Sequence, residues 1–343
     1  MRCLVVGGTG FLGGAIVQAL LAAGQSVSVL SRRPARRLAA FETITADRHG
    51  DLAPLIGRTF DWVFDTCAYA PGDVRTLLAA LGQGVERYIL VSSISVYGTF
   101  PTPAIDEGRE VPEATAEDHA QAAALPPGAR AMADAYGASY GPLKRACEIV
   151  ATEKLGDRAT HLRVGLLIGA GDYTDRLTWW VRQVDGGGRV PVPAPEGRLV
   201  QVIDVRDVAD FALRCCGGAL GGVWNVTGLP MPFLEMLGQV RDVAGTAADF
   251  VPVDLQHVND LGFAYWTDLP LILPPQPSVA HLQNVSTAKA TAAGLRTRPL
   301  AETLGPLLDW DRGRRDIALK AGLTEAQLDA LLAASDRAAA NSP

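Results

Sequence analysis

Tyr140 and Lys144, in Tyr140-Gly141-Pro142-Leu143-Lys144, form the pair whose types and spacing carry the most direct chemistry. At i and i+4 on a helix, both side chains address one site. A phenol with a pKa of about 10 is a poor base at neutral pH. A neighbouring ammonium favours the phenolate and makes general acid–base work feasible. Of the 7 tyrosines, only Tyr140 has a lysine four residues on. Ser92 and Ser93 lie in Val91-Ser92-Ser93-Ile94-Ser95-Val96-Tyr97-Gly98, directly after an apolar strand-like run. The carboxyl ends of parallel strands border the ligand crevice of an open sheet. A hydroxyl at Ser93 could therefore hold a substrate oxygen while Tyr140 moves its proton, with Ser92 on the cofactor side.

The second constellation is Val6-Gly7-Gly8-Thr9-Gly10-Phe11-Leu12-Gly13. Gly7, Gly10 and Gly13 are spaced three apart, between a predicted strand and a predicted helix. Such a loop turns tightly and lets backbone amides approach a pyrophosphate, with the helix dipole aiding. Gly7, Gly10, Phe11, Leu12 and Gly13 are thus expected to hold a dinucleotide. About 20 residues on, NAD-binding loops carry an acid for the ribose hydroxyls. Here the segment reads Ser31-Arg32-Arg33. Without a carboxylate and with two guanidiniums, it suits a 2′-phosphate, so NADP is expected, with NAD the alternative. Asp47, after a weaker third strand, could hydrogen-bond the adenine.

Positioning these groups requires a sheet. Short apolar runs at 4–6, 26–30, 43–45, 62–64 and 88–91 alternate with helical patterns at 12–23 and 74–81. That order reads as βαβ units and a doubly wound parallel α/β sheet, a Rossmann fold. The expected organisation is a nucleotide domain over 1–165, to which 199–228 return. A smaller, partly helical substrate lobe follows over 166–198 and 229–310, with a helical extension over 311–343. The stretch 101–138, rich in Pro, Ala and acidic residues, reads as a lid or a poorly ordered insertion. A capping box at Thr324 and Gln327 starts the last helix.

Composition narrows the function. The 343 residues are 48% hydrophobic and carry a formal net charge of -6, which argues against binding nucleic acid by phosphate neutralisation. Five scattered cysteines fit neither a disulfide framework nor a zinc site, which suggests a reduced, cytoplasmic protein and no metal. No apolar run approaches a membrane span. The partners expected are therefore a small-molecule substrate, no nucleic acid and no membrane. The terminal helix is compatible with a homodimer.

In this order the segments resemble the extended short-chain dehydrogenase/reductase family, the NAD-dependent epimerase/dehydratase group. The resemblance rests on the glycine loop, Ser92-Ser93-x-x-Val96-Tyr97-Gly98, Tyr140-x-x-x-Lys144 and Val202-Ile203-Asp204-Val205-Arg206-Asp207-Val208-Ala209. It implies that Tyr140 is the catalytic acid/base, that Lys144 orients the ribose and tunes Tyr140, and that Ser93 is the third member. It implies an oxidoreductase or epimerase acting at a secondary hydroxyl or ketone of a polar substrate, such as a sugar or nucleotide sugar. The alternative is a non-catalytic NADP-binding sensor or scaffold. Ile94-Ser95 stand where family dehydratases carry Asp-Glu, which argues against a 4,6-dehydratase. Asp65-Thr66-Cys67-Ala68 and Leu162-Arg163-Val164-Gly165-Leu166 also depart from the common pattern, as in divergent, atypical members. Trp179, Trp180 and Arg176 are candidates for a substrate pocket, with at least one tryptophan expected in the core. Asp204, Arg206 and Asp207 are expected to fix the lobe junction.

Overall fold

The computed structural model describes residues 1–32, 40–195 and 197–340. Its strands are β1 (Arg2–Val6), β2 (Ser26–Ser31), β3 (Glu42–Thr45), β4 (Trp62–Asp65), β5 (Arg87–Ser93) and β6 (Ala159–Val164). Four short strands follow, β7 (Leu166–Ile168), β8 (Arg189–Val192), β9 (Leu199–Val200) and β10 (Val202–Asp204). Then come β11 (Gly222–Val226), β12 (Met231–Pro232) and β13 (Asp249–Pro252). The main sheet has the order β11-β6-β5-β4-β1-β2-β3, and every neighbouring pair in it is parallel. The order reverses between β1 and β4, where a crevice opens at the carboxyl ends of the strands.

The helices are α1 (Phe11–Ala22), α2 (Pro71–Leu81), α3 (Ala116–Ala124), α4 (Tyr140–Leu155), α5 (Arg176–Gly186) and α6 (Val205–Gly217). They continue with α7 (Phe233–Ala244), α8 (Leu255–Asp260), α9 (Ala288–Ala292), α10 (Ala301–Arg312) and α11 (Glu325–Ala340). Both faces of the sheet are covered, so its strands are apolar on both sides. Cys3 and Val5 of β1 pack with Ile16 of α1 and Phe211 of α6. Leu4 and Val6, alternating with them, pack with Leu77 of α2 and Val150 of α4. α6 lies against α1, and β11 extends the sheet beside β6, whereas β9 pairs with β12 and β10 with β7 outside the main sheet.

A separate apolar cluster holds the other elements together. Trp179, Trp180, Phe233, Leu237, Leu307 and Leu331 share it. Both tryptophans are therefore core residues. Their rings meet edge to face at 4.6 Å. Trp180 Nε1 donates to the Pro270 carbonyl at 2.6 Å and Trp179 Nε1 to that of Leu323 at 3.2 Å. Leu323 and Leu331 place the C-terminal segment inside this cluster rather than beside it. Thr324 and Gln327 cap α11 as their spacing predicts.

The 101–138 stretch is built rather than featureless. It contains α3, started by a Thr115–Asp118 capping box. Ile105 bridges to Val285, and Tyr136 is buried. Thr303 of α10 donates to Asp204 at 2.6 Å, and Arg298 Nε to Asp207 of α6 at 2.6 Å. Among the described residues no helix is long and apolar enough to cross a membrane. No group of His, Cys, Asp and Glu among them could hold a metal ion.

Candidate active site

The glycine loop runs from β1 into α1 at the switch point. Gly7 has φ +81°, a left-handed conformation that glycine adopts without strain. A Cβ on Gly13 would lie 2.1 Å from the Gly7 carbonyl oxygen, so only glycine lets the helix pack this closely. Gly10 caps α1 without a side-chain hydrogen bond, and the first turn carries no acid. The free amides and positive dipole end are thus open to an anion, and the residues fit a dinucleotide's pyrophosphate. Phe11 leans against the loop after β7, near Gly169 and Gly171. Leu12 is buried in the core beneath the loop, so of its groups the backbone amide is the one suited to phosphate.

At the end of β2, Arg32 is exposed and Ser31 half-buried. Arg33 lies outside the described residues. The Asp47 side chain is exposed, and its Oδ1 accepts the amide of His49 at 3.0 Å, closing its own loop.

The three catalytic candidates converge at the ends of β4 and β5. Ser93 ends β5, and its Oγ accepts from the Ser95 amide at 3.1 Å. Tyr140 opens α4, which packs against the turn that directly follows Ser93. That approach depends on Gly141, where a Cβ would sit 2.2 Å from the Ser95 carbonyl oxygen. Lys144 is 1% exposed and lies one turn further on. Its Nζ donates to the Ala68 carbonyl at 2.7 Å and also to that of Val91. It thus clamps the ends of β4 and β5 together. An ammonium has three donors, so one remains for a ligand. Tyr69 faces the same space, with its ring centroid 6.2 Å from that of Tyr140 and 5.5 Å from Lys144 Nζ.

The electrostatics bear on the proton transfer expected of Tyr140. Burial pushes the Tyr140 phenol up to about 12, although the nearby Ser93 hydroxyl works the other way. Burial also lowers the Lys144 ammonium from its ordinary value. In the chain alone the phenol is therefore neutral at neutral pH, and Lys144 by itself does not produce a phenolate.

Ser92 also departs from expectation. Its side chain lies under α4 rather than on the cofactor side, and its hydroxyl donates to Glu148 Oε1 at 2.7 Å. Glu148 takes two further hydrogen bonds from Arg163, at 3.0 and 2.8 Å. It stays ionised: burial opposes its charge, but Arg163 outweighs burial and lowers its pKa. Ser92 thus completes a buried ion pair.

A second buried pair escaped the sequence reading. Arg48 donates to both carboxylate oxygens of Asp65, at 2.5 and 3.0 Å, and Tyr88 donates to Asp65 at 2.8 Å. Arg48 also donates to the Asp73 carbonyl at 3.0 Å. The Asp73 carboxylate accepts from the amides of Tyr69 and Ala70, at 2.8 and 3.0 Å. Together these fix the loop that presents Ala68 to Lys144 and Tyr69 to the crevice. The one available signal was Asp65 itself, a lone acid closing an apolar strand, which needs a partner when buried.

Residues 3–76 match the model of a family described as NAD dependent epimerase/dehydratase family. No curated protein matches the chain. Among solved structures it is similar to UDP-N-acetylglucosamine 4-epimerase from Bacillus cereus, at 18% identity and TM-score 0.64, over 91% of this chain and 100% of that one. It is also similar to UDP-glucuronic acid 4-epimerase from Bacillus cereus in complex with NAD, at 16% identity and TM-score 0.64, over 91% and 99%. A third is UDP-N-acetylglucosamine 4-epimerase from Methanobrevibacter ruminantium M1, at 17% identity and TM-score 0.63, over 91% and 98%. At these identities the likeness is one of fold.

Proposed function

We propose that this chain, a divergent member of the extended short-chain dehydrogenase/reductase family by its matched segment and its fold, is an NAD(P)-dependent epimerase or reductase. Its substrate is a polar molecule with a secondary hydroxyl or ketone, for which a nucleotide sugar is the leading candidate. The observation that carries the reading is the convergence of Ser93, Tyr140 and Lys144 at the β4–β5 ends, beside an uncapped glycine loop. The similar solved structures, UDP-sugar 4-epimerases, support the substrate class.

When bound, the nicotinamide supplies the acceptor and donor for a hydride at the substrate carbon. The chain's residues handle the oxygen and its proton. Ser93 donates a hydrogen bond to the substrate oxygen. Tyr140 takes the hydroxyl proton when the alcohol is oxidised and returns it when the ketone is reduced. Because burial opposes the phenolate, its formation requires positive charge brought into the crevice next to Lys144. Lys144 holds the floor through Ala68 and Val91 and offers its third N–H to the ribose. Arg32 and Arg33, with no carboxylate among Ser31-Arg32-Arg33, favour NADP. NAD, named with one similar epimerase, is the alternative.

The test is a Tyr140→Phe protein assayed for interconversion of UDP-glucose, UDP-glucuronic acid and UDP-N-acetylglucosamine with their 4-epimers by NMR. The reading expects turnover of at least one substrate by the unaltered protein and a loss of about 10²- to 10⁴-fold in the variant, with cofactor binding retained. Full turnover in the variant would remove the mechanism.

A further inference from the structure

Among the described residues, Lys144 is a buried cation with no ion pair. It is 1% exposed, and its Nζ donates to two backbone carbonyls, those of Ala68 and Val91. Burial opposes the charge that the mechanism needs. Its charged and titratable neighbours supply no free anion. Cys147 lies one turn further along α4, and Cys67 follows β4. Burial raises the pKa of both thiols and keeps them protonated. Asp65, at the end of β4, is matched by Arg48, which donates to both of its oxygens. His161, on β6, is held neutral by burial, as is the Tyr140 phenol.

The remaining neighbour is an aromatic ring. Lys144 Nζ stands over the Tyr69 ring, 5.5 Å from its centroid. A ring face attracts an ammonium within about 6 Å, more strongly where water is excluded. The same ring lies 6.2 Å from that of Tyr140, tilted by 45°. Tyr69 therefore adjoins both members of the proton-transfer pair. Burial pushes its own phenol up, so it adds no negative charge. The ring is fixed from behind. Asp73 accepts the Tyr69 amide at 2.8 Å, and the Tyr136 ring packs against it at 5.6 Å. Tyr136 is itself buried, and its hydroxyl donates to the Arg130 carbonyl at 3.0 Å.

We propose that Tyr69 is a positioning residue for the proton transfer: its ring face carries the Lys144 ammonium beside Tyr140, and Tyr136 braces that ring. This rests on the functional reading above and adds to it the group that helps hold Lys144 charged where no carboxylate is free. Through Tyr136, the 101–138 stretch then acts on the chemistry.

The experiment is an NMR titration of the full chain carrying lysine isotope-labelled at Cε. The chain has only four lysines, and the Lys144 signal is the one missing from Lys144→Met. Tyr69→Leu is expected to lower the Lys144 midpoint by about 0.5–1.5 pH units. Tyr69→Met, whose flexible side chain fills the gap, should do the same. Tyr69→Phe keeps the ring face and should leave the midpoint where it is. Tyr136→Leu should lower it by less than Tyr69→Leu, and no change there would overturn the part given to Tyr136. A purely structural role would alter the melting temperature of these variants without lowering the midpoint. An unmoved or raised midpoint in folded Tyr69→Leu and Tyr69→Met, or an equal fall in Tyr69→Phe, would overturn the proposal. The titration uses neither cofactor nor substrate, so that result strikes Tyr69 alone. Failure of the unaltered protein to bind a dinucleotide would strike the functional reading instead.

Discussion

Tyr140 is a neutral phenol in the chain alone, held up to about 12 by burial. Since the acid form is the resting form, proton abstraction should strengthen as pH rises, and reduction, which needs the phenol, should persist at neutral pH. Oxidation is therefore expected to show one ionisation on its acidic limb, well below 12 once the cofactor is bound. Lys144→Met should move that limb upward and lower turnover by about 10²-fold. An unshifted limb in the variant would show that Lys144 has no electrostatic part in the step. Ser92 gives the contrast. Ser92→Ala removes a hydrogen bond to the buried Glu148 carboxylate, so it should cost roughly 1.5–3 kcal/mol of stability in a denaturant melt. It should leave turnover little changed. The grouping of Ser93, Tyr140 and Lys144 about one crevice is legible in the sequence because it follows from residue type and local spacing. Ser92 is misread for a reason the sequence also contains. Strand residues alternate, which puts Ser92 with Tyr88 and Leu90 on the face covered by α4. Arg48–Asp65 and Glu148–Arg163 pair across long stretches of chain, which no local spacing reveals.

Among the elements, the β1–α1 loop is the most constrained. Gly13→Ala would press a methyl group to 2.1 Å from the Gly7 carbonyl, so the loop must move. The expected outcome is about 1–3 kcal/mol of lost stability, together with a cofactor affinity at least about 10-fold weaker in a fluorescence titration. Unchanged affinity would mean that the loop does not hold the dinucleotide. The strand beside β5 carries a pH-sensitive group. His161, on β6, is lowered from 6.5 to about 4 by burial and bonds Thr152 at 2.8 Å. Its folded pKa is below the unfolded one, so the unfolded chain binds the proton first. The stabilisation is complete above pH 6.5 and is lost as pH falls towards 4, on the order of 3 kcal/mol. Melts of His161→Gln over that window should show a flatter acid limb than the unaltered protein, and equal slopes would contradict this. The main strands and α1, α2 and α4 are legible because their apolar periods are strong. The 101–138 stretch is not, since α3 is held by its capping box and has no buried residue of its own.

On the scale of the whole molecule, the nucleotide sheet and the second apolar cluster meet through Asp204–Thr303 and Asp207–Arg298. Ser93, Tyr140 and Lys144 all come from the nucleotide side, from the end of β5 and the first turns of α4. The doubly wound order is legible from alternating strands and helices. The place of the C-terminal segment is not, because Leu323 and Leu331 reach their partners only through tertiary packing. The central claim is that this crevice is built around a nicotinamide dinucleotide. Its most direct test is a fluorescence titration of the purified protein, stripped of bound nucleotide, with NADPH and with NADH. Saturable binding is expected, tighter for NADPH. Tighter NADH would overturn the role given to Arg32 and Arg33, and binding of neither would contradict the account as a whole.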